Sequence, residues 1–186
     1  MLSDGRVAIR PYGADDVAAL LDAARESAGQ LGAWYPWAHE NLTAEEVAGF
    51  LTTRAECWAA GTERGFAIVE ATSGRLLGGL WLNHLDLAAK RANLGLWVRT
   101  SALRTGVATA AARLGLAFAF GQLDLAQVEF VVAIGNDVVR RLAESLGAKP
   151  LGIVPRKLEL RGARVDARLY VIDRPLSAPA ATPGTP

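Results

Sequence analysis

Apolar positions along this 186-residue chain switch several times between a period of two and a period of 3.6. Val7 and Ile9 alternate with longer polar residues and the run stops at Pro11, which predicts a first strand over 6–10. Asp15 and Asp16 suit the first turn of a helix, where carboxylates favour the dipole, and Val17, Leu20, Leu21 and Ala24 follow at helical spacing. The aromatic run "LGAWYPWAHE", broken by Pro36, has no clean period and reads as loop or short turns. Thr43 and Glu46 stand at capping-box spacing before a stripe of Val47, Phe50, Leu51 and Trp58, and Gly61 closes that helix. Three strands then form an antiparallel meander over 66–70, 76–83 and 91–98, with a tight turn at "SGR". A helix over about 106–120 is alanine-rich and apolar nearly all round, which predicts burial against a sheet. A Val/Phe/Ile strand over 127–134 precedes Asn136, a helix cap, and Val139, Leu142 and Leu146 line the helix that Gly147 ends. Two last strands, over 152–160 and 163–172, flank the turn "RGA".

The predicted order is β-α-α-β-β-β-α-β-α-β-β. This is an α/β (α+β) layout of about seven mostly antiparallel strands and four helices, in one domain over residues 1–174. The run "PLSAPAATPGTP" over 175–186 is low-complexity Pro, Ala and Thr, and is expected to stay disordered because it has too little to bury.

Composition narrows the function classes. Lys and Arg number 20 against 19 Asp and Glu and are spread out, so no nucleic-acid partner is expected from charge. A single cysteine, Cys57, permits no intrachain disulfide and fits a reducing compartment. No apolar run approaches the length of a membrane span and the first residues lack a signal-peptide pattern, so a soluble cytoplasmic protein with no membrane partner is expected. Two distant histidines and one cysteine offer too few ligands for a zinc site, so no metal is expected.

The stretch "SALRTGVATAAAR" carries the most chemistry. A strand that ends in a Gly-containing turn and opens a helix leaves the first helical N–H groups unpaired, and the dipole favours an anion there. Gly106 and Ala108 leave room for a phosphate, and Thr105 and Thr109 offer hydroxyls. The run from Ser101 to Gln122 has no acidic residue, while Arg104 and Arg113 flank the turn. No Walker-type lysine follows the glycine and there is no G-x-G-x-x-G, which argues against an NTPase or dinucleotide site. On these residues alone, a plain Gly/Ala-rich core helix stands level with a phosphate turn.

The layout together with this stretch resembles the GNAT acetyltransferases, more narrowly their RimJ/RimL-like branch, over Val7 to about Asp173. The family pattern Q/R-x-x-G-x-G/A, which cradles the acetyl-coenzyme A pyrophosphate, falls on "LRTGVA": Gly106 and Ala108 match, Leu103 departs and Arg104 stands beside it. "RLLGGLWL", "ANLGLWV", "VEFVVAIGNDVVRRLAESLGAKPLGI" and "RGARVDARLYVI" are similar to further blocks of the branch, in order. Val139 stands where relatives often place a serine that protonates the departing thiolate, and Asn93 replaces an acidic residue.

The resemblance implies direct acetyl transfer from acetyl-coenzyme A to an amine, through a tetrahedral intermediate and without an acyl-enzyme. It places the oxyanion donor on the backbone around Trp97, Val98 and Arg99, and the coenzyme phosphates on Arg104, Thr105, Gly106, Val107, Ala108 and Thr109, with Asn136 contacting the coenzyme after first serving as a helix cap. A thiol with a pKa near ~8.5 leaves with little help, so Tyr170 or a water would suffice as acid. An α-amine at ~7.7–8.0 needs far less help from a base than lysine at ~10.4, so an α-amine or another low-pKa amine is favoured as acceptor. Glu129 is the favoured base, ahead of His84, Asp86 and Asp166, although it would equally serve as a strand residue paired with an arginine. Trp34, Trp37 and His84 are expected to line the acceptor site, with a small side core as the competing reading for the two tryptophans. A binding module for acyl-coenzyme A with little or no catalysis is the alternative function. Many relatives are dimers, which leaves a homodimer open.

Overall fold

The computed structural model describes residues 1–175. The expectation for the tail falls, beyond Pro175, outside the described residues. The strands are β1 (Leu2–Ser3), β2 (Val7–Pro11), β3 (Arg64–Glu70), β4 (Leu76–Asp86), β5 (Arg91–Val98), β6 (Gln127–Ala133), β7 (Lys149–Leu160) and β8 (Ala163–Asp173). The helices are α1 (Val17–Glu26), α2 (Ala28–Leu31), α3 (Ala44–Ala60), α4 (Val107–Gly121) and α5 (Asp137–Ser145), with 3-10 turns at Ala14–Asp16 and Thr100–Ala102. The mixed, mostly antiparallel layout read from the sequence is therefore present, with two short additions. β1 is only two residues long, and α2 is a single turn inside the aromatic stretch, so neither is long enough to show a period.

All eight strands form one sheet in the order β1-β2-β3-β4-β5-β6-β8-β7. Every neighbouring pair is antiparallel except β5 and β6. Parallel neighbours need a crossover, and α4 supplies it. Alternation along the strands divides the interior into two cores. Val7, Ile9, Phe66 and Ile68 point to one face, with Ala111, Ala112 and Phe118 of α4 and, at its edge, Val139 and Leu142 of α5. Ala8, Ala67, Val69 and Trp97 point to the other, under Leu20 and Ala24 of α1 and Val47 and Leu51 of α3. Each fully buried Val, Leu, Ile or Phe contributes about 1.5–3 kcal/mol against the ordering entropy.

Helix ends follow local chemistry. Thr43 Oγ1 accepts the Glu46 N–H at 3.2 Å while Glu46 reaches back to the Thr43 N–H at 2.7 Å. Asn136 caps α5 by accepting the Val139 N–H at 3.3 Å. By contrast, α4 has no side chain capping its N-terminus, and its cap residue Gly106 has φ +82°, the left-handed region that favours glycine.

β5 and β6 pair only over Arg91–Asn93 with Gln127–Glu129 and then separate. Asn93 sits at the point of separation. Its Nδ2 donates to Asn83 Oδ1 at 2.7 Å, and its Oδ1 accepts the Val131 N–H at 3.1 Å. The side-chain amide thus replaces the next ladder bond and joins three strands. Beyond it, Arg99 N–H donates to Leu77 O at 2.8 Å. By antiparallel alternation from that bond, the amides of Gly95 and Trp97 face β4, and those of Leu94, Leu96 and Val98 face the opening.

Gly95 lets the Trp81 indole lie flat across β5, since a Cβ there would overlap Trp81 Nε1 and approach Cζ2 to 2.7 Å. Gly95→Val is expected to lower stability by about 1–3 kcal/mol through overpacking. Gly49→Ala, at an open helical position, is expected to raise it by about 0.5–1 kcal/mol. Urea unfolding of both variants checks the pair.

Candidate active site

A cavity of about 330 Å³ fills the wedge between the diverging ends of β5 and β6. It passes through the sheet. Leu94, Leu96, Phe130, Val139 and Leu142 line it on the α4–α5 side, and Tyr35, Trp81 and Asn83 line it on the other. The hairpin of β7 and β8 closes one wall with Leu158, Glu159 and Leu160, and its tip is held by Arg161 donating to Gly32 O at 2.8 Å. A molecule that enters from the α4–α5 side can therefore meet one that enters from the other face.

The chain leaving β5 runs into the turn before α4. Thr100–Ala102 forms a 3-10 turn, Arg104 takes φ +61° and Gly106 φ +82° before α4 begins. Within α4 the first N–H to find an intrahelical carbonyl is that of Ala110, which donates to Gly106 O at 3.0 Å. The amides of Val107, Ala108 and Thr109 accordingly have no partner within the helix and face out from its positive end. No acid occupies that first turn. Thr105 Oγ1 instead donates to Ala102 O at 2.7 Å, which shapes the loop. Arg6, which the sequence reading passed over, donates to Thr105 O at 2.6 Å, and a Cβ at position 106 would come within 3.1 Å of its other guanidinium nitrogen. An unpaired amide cluster, a cradle that only glycine leaves open and an adjacent cation together fit a diphosphate.

The loop is anchored to α1. Arg99, nearly buried, donates to Glu26 Oε2 at 2.9 Å, to Asp22 Oδ2 at 2.8 Å and to Leu76 O at 3.2 Å. Glu26 also accepts the Ser101 N–H at 2.6 Å, and buried Ser27 accepts the Thr100 N–H at 3.1 Å. The Arg99 guanidinium and then the Ser101 amide hold the Glu26 carboxyl down at about 2.

Several expected site residues land elsewhere. Of the three backbone positions expected to supply an oxyanion donor, only Val98 turns its N–H away from β4, towards the freed edge of β5. Those of Trp97 and Arg99 face β4, and the Arg99 side chain holds α1 rather than a ligand. Tyr170 is 2% exposed, and its hydroxyl donates to Glu144 at 3.1 Å rather than into the cavity. Glu129 shares the register of Asn93 at the closed end of the wedge and is not among the lining residues. Asp86 accepts the Ala89 N–H at 2.8 Å, which orders a turn, and Asp166 accepts the Arg156 N–H at 2.9 Å, which pins the irregular stretch of β7. Trp37 packs between Phe50 and Trp97 in the second core, outside this cavity.

Others do meet there. Trp34, His84 and Asn136 all line the cavity, His84 at φ +49° on an irregular stretch of β4. The structure adds Tyr35, Asn83 and Glu159. Tyr35 Oη donates to Leu96 O at 3.2 Å inside the wedge, and burial pushes its pKa up to about 12. Nothing in an aperiodic aromatic loop tells which ring reaches the sheet. Glu159 is a carboxylate on the cavity wall, with the Arg164 guanidinium 3.9 Å away.

A sheet split around a cavity, followed by a helix start that fits an anion, is the layout of a protein that holds a phosphorylated ligand beside a second molecule. The acetyltransferase (GNAT) domain profile matches residues 6–149, and the chain belongs to that family. It is an N-acetyltransferase. None of the curated proteins matches the sequence significantly. Among solved structures, Mycobacterium smegmatis RimJ in complex with CoA-disulfide is 26% identical, with a TM-score of 0.82 over 90% of this chain and 81% of that one. RimL, a ribosomal alpha-N-protein acetyltransferase in complex with coenzyme A, is 16% identical, with a TM-score of 0.83 over 93% and 96% of the two chains. A microcin self-immunity acetyltransferase, MccE, in complex with acetyl-CoA and AMP, is 16% identical, with a TM-score of 0.82 over 92% and 94%. These last two likenesses carry the fold. Among the described residues no helix is long and apolar enough to cross a membrane, and no cluster of three metal-ligating side chains occurs.

Because Glu26 is held at about 2 against an ordinary 4.5, its contribution to stability is complete above about pH 4.5 and is lost as pH falls towards 2. Glu26→Gln is expected to cost about 2 kcal/mol at pH 7, since it removes hydrogen bonds to a charged group. The gap between wild type and variant should close between pH 4.5 and 2, as read by urea unfolding at each pH.

Proposed function

We propose that the protein is a RimJ/RimL-like N-acetyltransferase acting in a reducing, cytoplasmic setting, and that its acceptor is an α-amine or another amine of low pKa. One observation carries this reading: β5 leaves β6 after Asn93 and lines a cavity along the freed edge, and the chain then runs from β5 through a 3-10 turn straight to the uncapped, acid-free N-terminus of α4. On that reading, the Val107, Ala108 and Thr109 amides hold the diphosphate, with Arg104 and Arg6 beside them. The amides of Leu96 and Val98 are the donors available to an acyl carbonyl oxygen, where they would stabilise charge as it develops. Asn136 keeps its amide N–H groups free at the cavity wall while its oxygen caps α5. Tyr35, protonated at neutral pH, replaces Tyr170 as the hydroxyl able to donate a proton to a departing thiolate.

The acceptor side offers His84 and Glu159 as proton acceptors for the ammonium form. A lysine at ~10.4 would need far more help from such a base than an α-amine would. An α-amine at ~7.7–8.0 is already partly neutral and needs mainly positioning. A second reading, an acyl-coenzyme A-binding module, draws on Val139, which puts a methyl group on the cavity wall where a hydroxyl would donate a proton.

Titration calorimetry is expected to show acetyl-coenzyme A binding that Gly106→Glu removes by at least ~100-fold, since that side chain puts bulk and negative charge into the cradle. An absence of binding to folded wild type defeats the proposal. Free-thiol release over a panel of peptide and small amines separates the two readings, because enzyme-like turnover with any amine excludes the binding module. Tyr35→Phe is expected to lower kcat about tenfold, below the 10²–10⁴ typical of general acids because a thiolate leaves readily. The KM for acetyl-coenzyme A should stay unchanged in the same assay.

A further inference from the structure

Asn83 stands where two cavities meet. It lines the wedge, and it also lines a second cavity of about 250 Å³ between α3 and the sheet, which shares Trp81 with the first. Alternation along β4 puts Asn83 on the same face as Trp81, which packs against the second core. Its cross-strand neighbour is Asn93, the residue at which β5 leaves β6. Val98 lies five residues further along β5, about 17 Å away by strand rise. Asn83 therefore marks the closed end of the wedge, at the other end of β5 from the turn into α4.

A relay of hydrogen bonds fixes which way its amide points. The backbone N–H of Val131 can only donate, so the Asn93 atom that meets it at 3.1 Å is the oxygen. The Asn93 amide nitrogen then faces Asn83 at 2.7 Å, and the Asn83 atom that receives it is again the oxygen. The Asn83 nitrogen, with its two N–H groups, is left turned away from Asn93. The side chain is half-buried, and the one buried side-chain N or O without a partner among the described residues is Arg54 Nε. Asn83 Nδ2 is thus no sealed orphan: it keeps surface open to whatever occupies the cavities it lines.

This group donates and does not take up a proton, so it gives no help in deprotonating an amine. Its complement is an oxygen held near the amine, and a carbonyl on the carbon that bears the amine puts one there. A donor that is already aimed loses little on binding such an oxygen, and it is left unpaired by an analogue that lacks one. The coenzyme is the other molecule expected in the wedge, but α4, with the diphosphate cradle at its start, packs on the opposite face of the sheet to Asn83.

We propose that Asn83 is a specificity-determining donor for the acceptor. It binds the carbonyl oxygen next to the reacting amine, as found in a peptide N-terminus or an amino-acid amide, and Asn93 is the positioning residue that aims it. The idea rests on the amine-acetylation reading above and assigns the group beside the amine rather than the base.

The test compares alaninamide with 1,1-difluoropropan-2-amine, using the full chain saturated in acetyl-coenzyme A. The two fluorines lower the basicity of the amine as the carbonyl does, but they are poor hydrogen-bond acceptors. Free-thiol release is expected to give alaninamide a kcat/KM about fivefold above the difluoro amine, the worth of one neutral hydrogen bond. Asn83→Asp keeps an oxygen for Asn93 and removes the N–H groups, so the ratio should fall to about one. Asn93→Asp keeps an oxygen for Val131 but loses the N–H that reaches Asn83. The Asn83 amide is then free to turn and donate to the new carboxylate, and the ratio should again fall to about one although Asn83 itself is unchanged. A merely structural link between the two residues would lower both rates together and leave the ratio alone. Calorimetric binding of acetyl-coenzyme A reports whether each variant is folded, and the wild-type comparison stands if either is not. Equal use of the two probes by wild type, or a ratio that survives either substitution, overturns the proposal. If acetyl-coenzyme A binds but neither amine turns over, the catalytic reading has failed. An NMR titration of the same two amines into the coenzyme-bound protein then decides the role of Asn83 by the same fivefold preference.

Discussion

Everything at this site follows from where the backbone hydrogen bonds of β5 go after Asn93. A central strand normally pairs on both edges, and an unpaired edge in the interior is costly. Here β5 keeps β4 throughout but has β6 for three residues only, while β6 continues along β8. The Asn93 amide makes the separation tolerable by joining Asn83 on one side and Val131 on the other. The strand edge beyond it is neither solvent-facing nor paired. It lines a cavity, which is where non-reacting protein groups that await a ligand belong. An acid at position 93, which the family resemblance favours, would lack the N–H that reaches Asn83. This chain therefore uses that position to hold the sheet open rather than to move a proton.

A split sheet is useful only if the loop leaving β5 is held still. The buried Arg99 guanidinium does this by drawing two carboxylates of α1 to the start of the loop, and Glu26 passes the constraint on to the Ser101 amide. Such a network is a poor source of net stability compared with apolar packing, but it fixes position. The α4 N-terminus then projects its free amides in one direction, because Gly106 takes a left-handed turn that Arg6 closes from outside. Arg6 and Arg99 thus divide the labour: one lies beside the expected anion, and the other sets the loop that presents it.

The acceptor side is built differently. Aromatic rings from α3, β4, β5 and the loop before α3 pack edge to face and stacked around two adjoining cavities. Rigid rings with few torsions keep such space open at low entropic cost. Glycines at 79 and 95 matter here for what they omit, since any side chain at either would collide with Trp81, Tyr12 or Trp97. On the proposed reading, the donor end of the molecule is organised by backbone and the acceptor end by side chains, so the acceptor end is the one that sequence change can retune without disturbing the fold.

Much was legible in the sequence because it depends on local chemistry. The capping box of Thr43 and Glu46, the Asn136 cap, the acid-free start of α4 and the alternation of the strands all act over a few residues, and each produced the element it predicted. The fold class followed, since those elements in that order have few ways to pack. The site was harder to read because it depends on contacts across as many as 129 residues of sequence, as between Arg161 and Gly32. Tyr170 and Tyr35 look alike as hydroxyls in a chain, yet one hydroxyl faces Glu144 and the other the wedge. Glu129 and Glu159 are both strand carboxylates, and only the turn of each strand within the sheet decides which one reaches the cavity. Sequence by itself determined the elements and the acid-free helix start after Gly106, whose amides point outward as they do wherever a helix begins. Tertiary structure decided which side chains share a cavity, because that depends on strand register and on how far two strands diverge, and neither is written in any local run of residues.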